Sequence, residues 1–353
     1  MTANNPQTIK KTVGELLKDI STRNRDIISR RFGLKTGKKE TLESIGASYT
    51  ITRERVRQIE EATLKQLHDA AGSNADVARY LGVARNILTD NSGVISENDL
   101  FKSFSGQDAD TVSNASLVFL LTLSGDLVRV ADNDDFRPFW ALNESILTSF
   151  KNTSAGLQSV LKKTGHVIPE TDFNYLVQKT SVPTFSPNGK AISESEIGTA
   201  MTISKNLARN IFSEVGLASW SEIKPKGVRD KAYLVLKKVQ KPQHFGDIAK
   251  LINTAGFNTK KANVQTVHNE LIKDERFILV GRGLYALSEW GYKSGTVKDV
   301  LVDILRGSAK PMAKATLMAK VRDARMVKEN TILLNLQDSK TFVKNSDGTY
   351  TLR

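Results

Sequence analysis

One pattern of residues occurs twice near the C-terminus, at a constant offset of 65 positions and without a gap over 22 positions. Each copy has a Thr, a Leu, a Phe, a Tyr and a second Leu: Thr266, Leu271, Phe277, Tyr285 and Leu287, then Thr331, Leu336, Phe342, Tyr350 and Leu352. A weaker earlier copy has a longer insertion before its fourth member: Ser116, Leu121, Leu127, Trp140 and Leu142. A fixed offset of this kind predicts one supersecondary unit that is used several times.

The first C-terminal copy indicates what this unit is. Helical apolar spacing, with a break at Pro242, predicts three helices over 228–238, 245–255 and 263–273. A strand-like pair of segments around the turn 281–283 predicts a hairpin. Three helices followed by a hairpin form a winged helix. We expect the tip of this hairpin to carry Arg282 and its strands to bury four side chains, Phe277, Leu279, Tyr285 and Leu287.

Charge is distributed unevenly along the 353 residues. The net charge of +13 indicates a polyanionic partner, most often nucleic acid. The alternative is a basic protein whose lysines are spread evenly over its surface. Five successive segments have net charges of +5 (1–70), −6 (71–144), +3 (145–227), +5 (228–292) and +6 (293–353). Since the chain is also too long for one compact core, we expect these segments to be separate domains.

Several classes of site are excluded or disfavoured by composition. The chain has no cysteine, so it can form no disulfide, thiol nucleophile or cysteine-ligated zinc site. The four histidines are scattered without the spacing of metal ligands, and we expect neither a metal nor a cofactor. The longest apolar run, 117–121, is far too short to span a membrane, and the polar N-terminus is unlike a signal peptide. We therefore expect a cytoplasmic protein without a membrane partner.

Residues 41–67 have the pattern of a helix-turn-helix. Thr41 is placed to cap a first helix that turns Leu42 and Ile45 inward and packs closely at Gly46. The turn follows at 49–51. Thr52 is placed to cap a second helix, with Glu54 in its first turn near the positive end of the helix dipole.

The second helix separates its residues onto two faces at about 100° per residue. The inward stripe consists of Val56, Ile59, Thr63 and Leu67. The outward face consists of Glu54, Arg57, Gln58, Glu61 and Lys65, with Arg53 and Arg55 at its two sides. Arg, Gln and Glu are side chains that contact guanine, adenine and cytosine in the major groove. The alternative is a solvated face with ion pairs at helical spacing.

The residue strings favour the DNA-binding interpretation. Residues 52–60, TRERVRQIE, resemble the recognition helix of sigma-70-type region 4. Residues 25–34 and 41–46 resemble its preceding parts, so that the resemblance covers about 22–68. In that family the module binds the −35 promoter element.

The resemblance implies three sets of contact residues. Base contacts are implied for Arg53, Glu54 and Gln58. Contacts to phosphates or flanking bases are implied for Thr52, Arg55 and Arg57, and Lys65 on the same face is expected to join them. Docking on the flap of the RNA polymerase β subunit is implied for the stretch that contains Ile28, Arg31, Phe32 and Leu34.

Residues 228–290 resemble the HARE-type winged helix of the RNA polymerase delta subunit and of some restriction and chromatin proteins. The matching residues are Pro242, His244, Phe245, Ile248, Ala249, Thr266, Val267, Phe277, Gly281, Gly283, Tyr285 and Leu287. The resemblance implies association with nucleic acid or polymerase. Because Lys260 and Lys261 precede the third helix and Arg282 tips the hairpin, we expect these three cations to contact phosphates.

The acidic segment is expected to behave differently. Its insertion before Trp140 carries Asp132, Asp134 and Asp135 at the place where the later unit carries Arg282. Phosphates repel carboxylates, so we expect this segment to contact protein, either polymerase or another part of this chain. A merely solvated acidic loop is the alternative.

Together these patterns predict a mainly α-helical chain with an N-terminal helix-turn-helix (1–70) and several winged helices. Those units are an acidic one (71–144), a helical segment or degenerate winged helix (145–227), a HARE-type unit (228–292) and a second C-terminal repeat (293–353). Nothing after residue 70 resembles sigma region 2, so we expect a promoter-binding regulator or accessory protein associated with polymerase rather than a complete sigma factor.

Other functions stay open at this point. A delta-like polymerase subunit with weak DNA binding and a DNA-binding module of a restriction system are the main alternatives. An enzyme is not expected, because the tripeptide at 222–224, Glu-Ile-Lys, lacks partner carboxylates for a nuclease site. An RNA-binding protein is not favoured, because no aromatic stacking platform is evident. The sequence leaves the oligomeric state open.

Overall fold

The computed structural model describes residues 6–108, 110–187, 189–257, 260–292, 295–308 and 310–353. In these residues the chain is mainly helical, with four small antiparallel sheets. This confirms the expected class, mainly α with small β-hairpins. Within the same residues, no helix has the length and apolar character that a bilayer span requires.

Four helices come first in the chain. Their bounds are Pro6–Leu16 (α1), Thr22–Phe32 (α2), Leu42–Tyr49 (α3) and Arg53–Gly72 (α4).

After α4, the described residues contain the same order of elements four times: a helix, a strand, two helices and two strands. The first repeat (75–141) has α5 Ala75–Asp90, β1 Val94–Ser96, α6 Glu97–Ser105, α7 Val112–Ser124, β2 Val128–Val130 and β3 Phe139–Ala141. The second (144–217) has α8 Glu144–Thr164, β4 Ile168–Pro169, α9 Glu170–Lys179, α10 Glu194–Ile203, β5 Leu207–Arg209 and β6 Glu214–Leu217.

The third repeat (228–287) has α11 Val228–Val239, β7 Gln243–His244, α12 Phe245–Thr254, α13 Val264–Lys273, β8 Phe277–Gly281 and β9 Leu284–Leu287. The fourth (297–352) has α14 Val297–Arg306, β10 Met312–Ala313, α15 Lys314–Ala324, α16 Glu329–Leu336, β11 Phe342–Lys344 and β12 Thr349–Leu352. The three helices and the hairpin predicted over 228–287 are therefore confirmed.

Each repeat has one three-stranded antiparallel sheet with its last strand in the centre. The strand orders are β1-β3-β2, β4-β6-β5, β7-β9-β8 and β10-β12-β11. The 65-residue offset corresponds to an identical register, because Phe277 pairs with Leu287 in the third repeat and Phe342 pairs with Leu352 in the fourth. The sequence repeat is thus a repeat of strand pairing as well as of side chains.

The chain forms two compact units, one of residues 1–209 with 213–219 and the other of 210–212 with 220–353. In the first unit, one apolar core extends from Ile9 in α1 to Trp140 in β3 and includes Phe32 and Leu67. Helix α7 lies at its centre, and most of its side chains are buried. The boundary that charge suggests at residue 70 therefore passes through one shared core.

The second unit has a separate core in each of its two repeats. The prediction that Leu279 is buried is wrong: its side chain is 46% exposed, while that of Val280 is fully buried. The register of β8 and β9 shifts between Leu279 and Gly281, so the strict alternation that the sequence suggested does not continue. The carbonyl of Val280 accepts a hydrogen bond from the backbone N–H of Met326 at 3.1 Å, which ties this strand to the fourth repeat.

The acidic insertion of the first repeat contacts the second repeat. The ammonium of Lys205 lies 2.9 Å from the carboxylate of Asp132, and the Lys205 backbone N–H donates to the carbonyl of Asp135 at 2.7 Å. The backbone N–H of Arg137 donates to the carbonyl of Ile203 at 2.9 Å. The acidic segment was expected to contact either polymerase or another part of this chain. The structure contains the second kind of contact.

Candidate nucleic-acid interface

Helices α3 and α4 begin directly after the two predicted caps, but α3 includes Tyr49 of the predicted turn and α4 continues to Gly72, beyond the predicted end at Leu67. The hydroxyl of Thr41 accepts from the N–H of Ser44 at 3.1 Å, and that of Thr52 accepts from the N–H of Arg55 at 3.2 Å. Side-chain oxygens at these positions satisfy N–H groups that the helix itself leaves unpaired. Both predicted N-caps are therefore confirmed.

The turn depends on a glycine. The N–H of Ile51 donates to the carbonyl of Gly46 at 3.0 Å. A Cβ at Gly46 would lie only 2.7 Å from the carbonyl oxygen of Ile51. Any larger residue would push α3 away from the turn, which explains the close packing that the sequence suggested at this position.

A small core fixes the orientation of α4. Ile27 of α2, Ile45 of α3 and Val56 of α4 are fully buried together, and Ile59 packs partly buried against them. Further along the predicted inward stripe, Thr63 and Leu67 are also buried. Because this stripe is packed against the core, the opposite face of α4 points to solvent.

All the side chains predicted to contact DNA from α4 are exposed. They are Thr52, Arg53, Glu54, Arg55, Arg57, Gln58 and Lys65. A 20-residue helix with one exposed polar face has the dimensions to enter the major groove. The surface therefore offers donors and acceptors of three kinds on one rigid element.

These side chains form ion pairs and hydrogen bonds with one another. The Arg57 guanidinium lies 2.7 Å from Glu54 and also contacts Glu61, one turn further on. The hydrogen bonds that Arg57 donates to Glu54, together with the charges of both carboxylates, raise the pKa of Arg57. In the absence of DNA, this surface is therefore an ion-paired face, as the alternative interpretation of the sequence described it. Exposed pairs are weak, so they can be exchanged for contacts to bases and phosphates.

Two more pairs extend this arrangement. Arg53 lies 2.9 Å from Glu43 of α3, and the Arg55 guanidinium donates to the side-chain oxygen of Gln58 at 3.1 Å. Both connect predicted base-contacting residues to neighbours on the same surface.

The prediction that Ile28 and Phe32 are available to dock on the polymerase flap is corrected by the structure. Ile28 is fully buried and Phe32 is 8% exposed, with its ring 5.2 Å from that of Phe119 of α7 in an edge-to-face contact. Leu34 is partly buried against the same core, and Arg31 pairs with Glu60 at 3.2 Å. The face to which polymerase contact was assigned is covered by α7. The local sequence does not indicate that α7 covers this face, since α7 begins at Val112, 80 positions after Phe32.

One buried ionic cluster in the first repeat was not predicted from the sequence. Glu97 is buried, and its carboxylate accepts from Arg129 at 2.6 and 2.9 Å and from the indole N–H of Trp140 at 3.2 Å, with Lys39 at 3.6 Å. Burial opposes the charged form of Glu97, but the hydrogen bonds and charges of Arg129 and Lys39 outweigh it and lower its pKa. No spacing in the sequence connects Lys39 with Glu97. Their contact fixes the segment before α3 to the first repeat.

The predicted phosphate-contacting cations of the second unit are exposed. Lys260 and Lys261 precede α13, and Arg282 lies in the turn between β8 and β9. This turn is held near α12 and α13, because the carbonyl of Gly283 accepts from the N–H of Phe245 at 2.9 Å. The Phe245 ring in turn stacks on His268 of α13 at 4.3 Å.

Comparison with known proteins concerns the N-terminal segment. Residues 16–69 match the family described as Sigma-70, region 4. The RNA polymerase sigma factor SigA of Nostoc sp. (strain PCC 7120) is 41% identical over 59 residues, which is 17% of this chain and 15% of that protein. SigA1 of Synechococcus elongatus is 46% identical over 52 residues, 15% of this chain and 13% of that protein.

This chain therefore spans only a small part of the length of the relatives that it matches. The matched segment contains α2, α3 and the exposed face of α4, whereas the four repeats lie outside it. The match of residues 16–69 to this family confirms the resemblance of residues 22–68 to sigma-70 region 4.

Proposed function

We propose that this chain is a DNA-binding transcription regulator that recognises a −35-like promoter element through α4 and acts together with RNA polymerase. The observation that carries this proposal is the exposed face of α4, held outward by a buried stripe within a region 4 segment. The matched relatives are named as RNA polymerase sigma factors, which supports both the DNA contact and the polymerase association.

The recognition chemistry follows from the side chains. Arg53 and Gln58 can each form two hydrogen bonds with one base, Arg with guanine and Gln with adenine, and Glu54 can accept from cytosine. Thr52, Arg55, Arg57 and Lys65 then contact phosphates or flanking bases and fix the register of the helix. The exposed ion pairs keep these side chains ordered before DNA arrives and are exchanged on binding.

The four repeats are proposed to be winged helices. Their element order and their sheets with a central last strand support this assignment. Within the third repeat, the HARE-type pattern and the exposed Lys260, Lys261 and Arg282 favour contact with DNA phosphates. The proposed role contains no catalytic step.

Polymerase association is proposed to use a surface other than Ile28 and Phe32. Both side chains are buried under α7, and a contact through them would require this helix to leave a shared core. Arg31 and Leu34 remain partly exposed at the edge of that surface.

A selection experiment tests the proposal. The full chain is incubated with a library of random duplexes, and bound DNA is amplified and sequenced over several rounds. We expect one enriched motif for the wild type and loss of that motif for the Arg53→Ala, Gln58→Ala double variant. Enrichment of no motif, or of the same motif by the double variant, would contradict sequence recognition through α4.

A further inference from the structure

The third helices of the four repeats expose different surfaces. Helix α7 is buried along most of its length, and α10 buries five of its ten residues. Helix α16 begins with exposed Glu329 and exposes Leu334 to 68%. Helix α13 buries only Val267 and Leu271. Helix α16 also buries only two residues, but α13 exposes more polar side chains and is the most accessible of the four on its polar face.

This face of α13 carries two amides one turn apart. Gln265 and Asn269 are exposed, and the Gln265 amide donates to the Asn269 side-chain oxygen at 3.2 Å. At about 100° per residue they lie opposite Val267 and Leu271. The one acidic residue of α13, Glu270, is half-buried at the flank of the helix. No carboxylate of α13 thus lies on the face where it would repel DNA.

Exposed cations lie before and at the end of α13. Lys260 and Lys261 lie before the N-terminus of α13, and Lys273 lies in its last turn. The segment at Lys261 is fixed, because the N–H of Ala262 donates to the side chain of Asn253 at 2.7 Å. On the other side, the stack of Phe245 on His268 holds the Arg282 turn near the helix. Exposed cations therefore lie at both ends of α13 and in the turn that is bonded to α12, where they can contact phosphates.

An exposed apolar side chain of α13 has a chemical counterpart in DNA. Ile272 is 63% exposed, and at about 100° per residue it lies on the same side of the helix as Gln265. The 5-methyl group of thymine is the apolar group that the major groove presents, and it is paired with adenine, which Gln and Asn amides contact through two hydrogen bonds. Amides with apolar neighbours thus complement A·T pairs.

We propose that α13 is a second base-contacting helix, in which Gln265 and Asn269 contact adenine and Ile272 contacts a thymine methyl group of an A·T-containing segment. The proposal rests on the proposed function, because it requires that the chain binds duplex DNA. It adds base recognition to a repeat for which the cations alone imply only contact with phosphates.

The test uses the full chain and duplexes that keep the motif selected through α4. Flanking A·T pairs that the wild type protects from chemical modification are replaced by G·C pairs, and affinity is measured by fluorescence anisotropy. We expect the replacement to weaken the wild type about tenfold. The Gln265→Ala, Asn269→Ala double variant should bind both duplexes alike, at the lower affinity. Gln265→Glu keeps the shape but loses the donor, and it should lose the preference as well.

The fourth repeat provides a matched control. Asn330 of α16 is exposed and lies 65 positions after Gln265, and Asn330→Ala should keep the full A·T preference. Failure to bind any duplex selectively would contradict the proposed function itself. Selective binding through Arg53 and Gln58, together with unchanged A·T preference in the α13 variants, would overturn this inference alone. Loss of polymerase capture by Ile272→Ser without any change in DNA affinity would also overturn it, since the face would then bind protein.

Discussion

At the scale of single residues, the candidate interface combines base-contacting groups with their own counter-charges. Arg57 is shared between Glu54 and Glu61 on the exposed surface of α4. Its guanidinium must leave at least one carboxylate to contact a phosphate, and the carboxylates themselves repel the backbone of DNA. We therefore expect Glu61 to limit non-specific affinity for DNA.

Replacing Glu61 by Gln should strengthen binding to every duplex. We expect several-fold tighter binding to the selected motif and to a scrambled duplex alike, and a salt slope steeper by up to about 0.9 as Arg57 gains one phosphate. Fluorescence anisotropy at a series of salt concentrations measures both quantities. Glu15→Gln is the control, because it makes the same charge change in an exposed i,i+4 pair of α1. Unaltered or weaker binding by Glu61→Gln would contradict this role of Arg57.

The buried Glu97 gives a pH-dependent contribution to stability. Its pKa in the folded chain lies below the ordinary value of 4.5, so the stabilisation is fully present above that value. It is lost as the pH falls through the lowered pKa of the folded state, when the carboxyl takes up a proton and loses its pairing with Arg129 and Lys39.

Glu97→Gln should remove this contribution. At neutral pH we expect the free energy of unfolding to fall by about 3 kcal/mol, because a buried ion pair loses one partner. Below the ordinary Glu range, the stability of the variant should decline less steeply than that of the wild type. Urea unfolding between neutral and acid pH measures both effects. Glu170→Gln, in the half-exposed pair with Arg209, should change little; an equal effect of the two substitutions would argue against a special role for Glu97.

Sequence patterns gave the outward face of α4 correctly, because helical periodicity separates Val56 and Thr63 from Arg57 and Gln58 over a short range. The pairing of Glu97 with Lys39 and Arg129 could not be predicted in this way. It depends on the path of the chain between distant segments, and each residue alone resembles an ordinary surface charge.

At the scale of secondary-structure elements, the packing of α7 determines which face of α2 remains exposed for binding a partner. Its apolar run 117–121 is visible in the sequence, but what it covers is not. In the structure it fills the face of α2 that carries Ile28 and Phe32. The exposure of Leu279, directly before the register shift between β8 and β9, is also not visible in the local sequence pattern.

The cover formed by α7 leads to a prediction about polymerase binding. If the full chain is captured by RNA polymerase, removal of the tip of the β-subunit flap should leave the capture unchanged, since the side chains assigned to that contact are buried. Pull-down with intact and flap-truncated polymerase makes the comparison, and a region 4-containing sigma factor serves as the positive control. Loss of capture with the truncated enzyme would mean that α7 moves away in the complex.

At the scale of the whole molecule, the 65-residue offset predicted the repeated unit, and the same element order occurs in four segments of the described chain. The two compact units could not be predicted from charge. Net charge reports on the surface, whereas the core that joins α1, α2 and α4 to α7 is apolar. The acidic insertion at 131–137 also contacts residues of its own chain, which composition alone left open.

The basic second unit should contribute to the salt dependence of DNA binding. Residues 228–353 have a net charge of +11. Replacing Lys260, Lys261 and Arg282 together by Ala in the full chain should flatten the slope of log affinity against log salt by about two to three units, at about 0.9 per phosphate contact. Lys314→Ala in the fourth repeat is a control for one lost exposed cation. An unchanged slope in the triple variant would remove these residues from the DNA-binding surface.

The central claim, that α4 recognises a base sequence, is tested most directly by comparing specificity ratios. Affinities for the selected motif and for a scrambled duplex are measured by fluorescence anisotropy at one salt concentration for the wild type, Arg53→Ala, Gln58→Ala and Arg79→Ala. Arg79 is an exposed, ion-paired arginine outside α4 and serves as the control. We expect Arg53→Ala and Gln58→Ala each to weaken binding to the motif by about 1–3 kcal/mol. Binding to scrambled DNA should change much less, and the circular dichroism spectrum should not change. Equal losses on both duplexes would contradict the account, because the two side chains would then contact only the backbone of DNA.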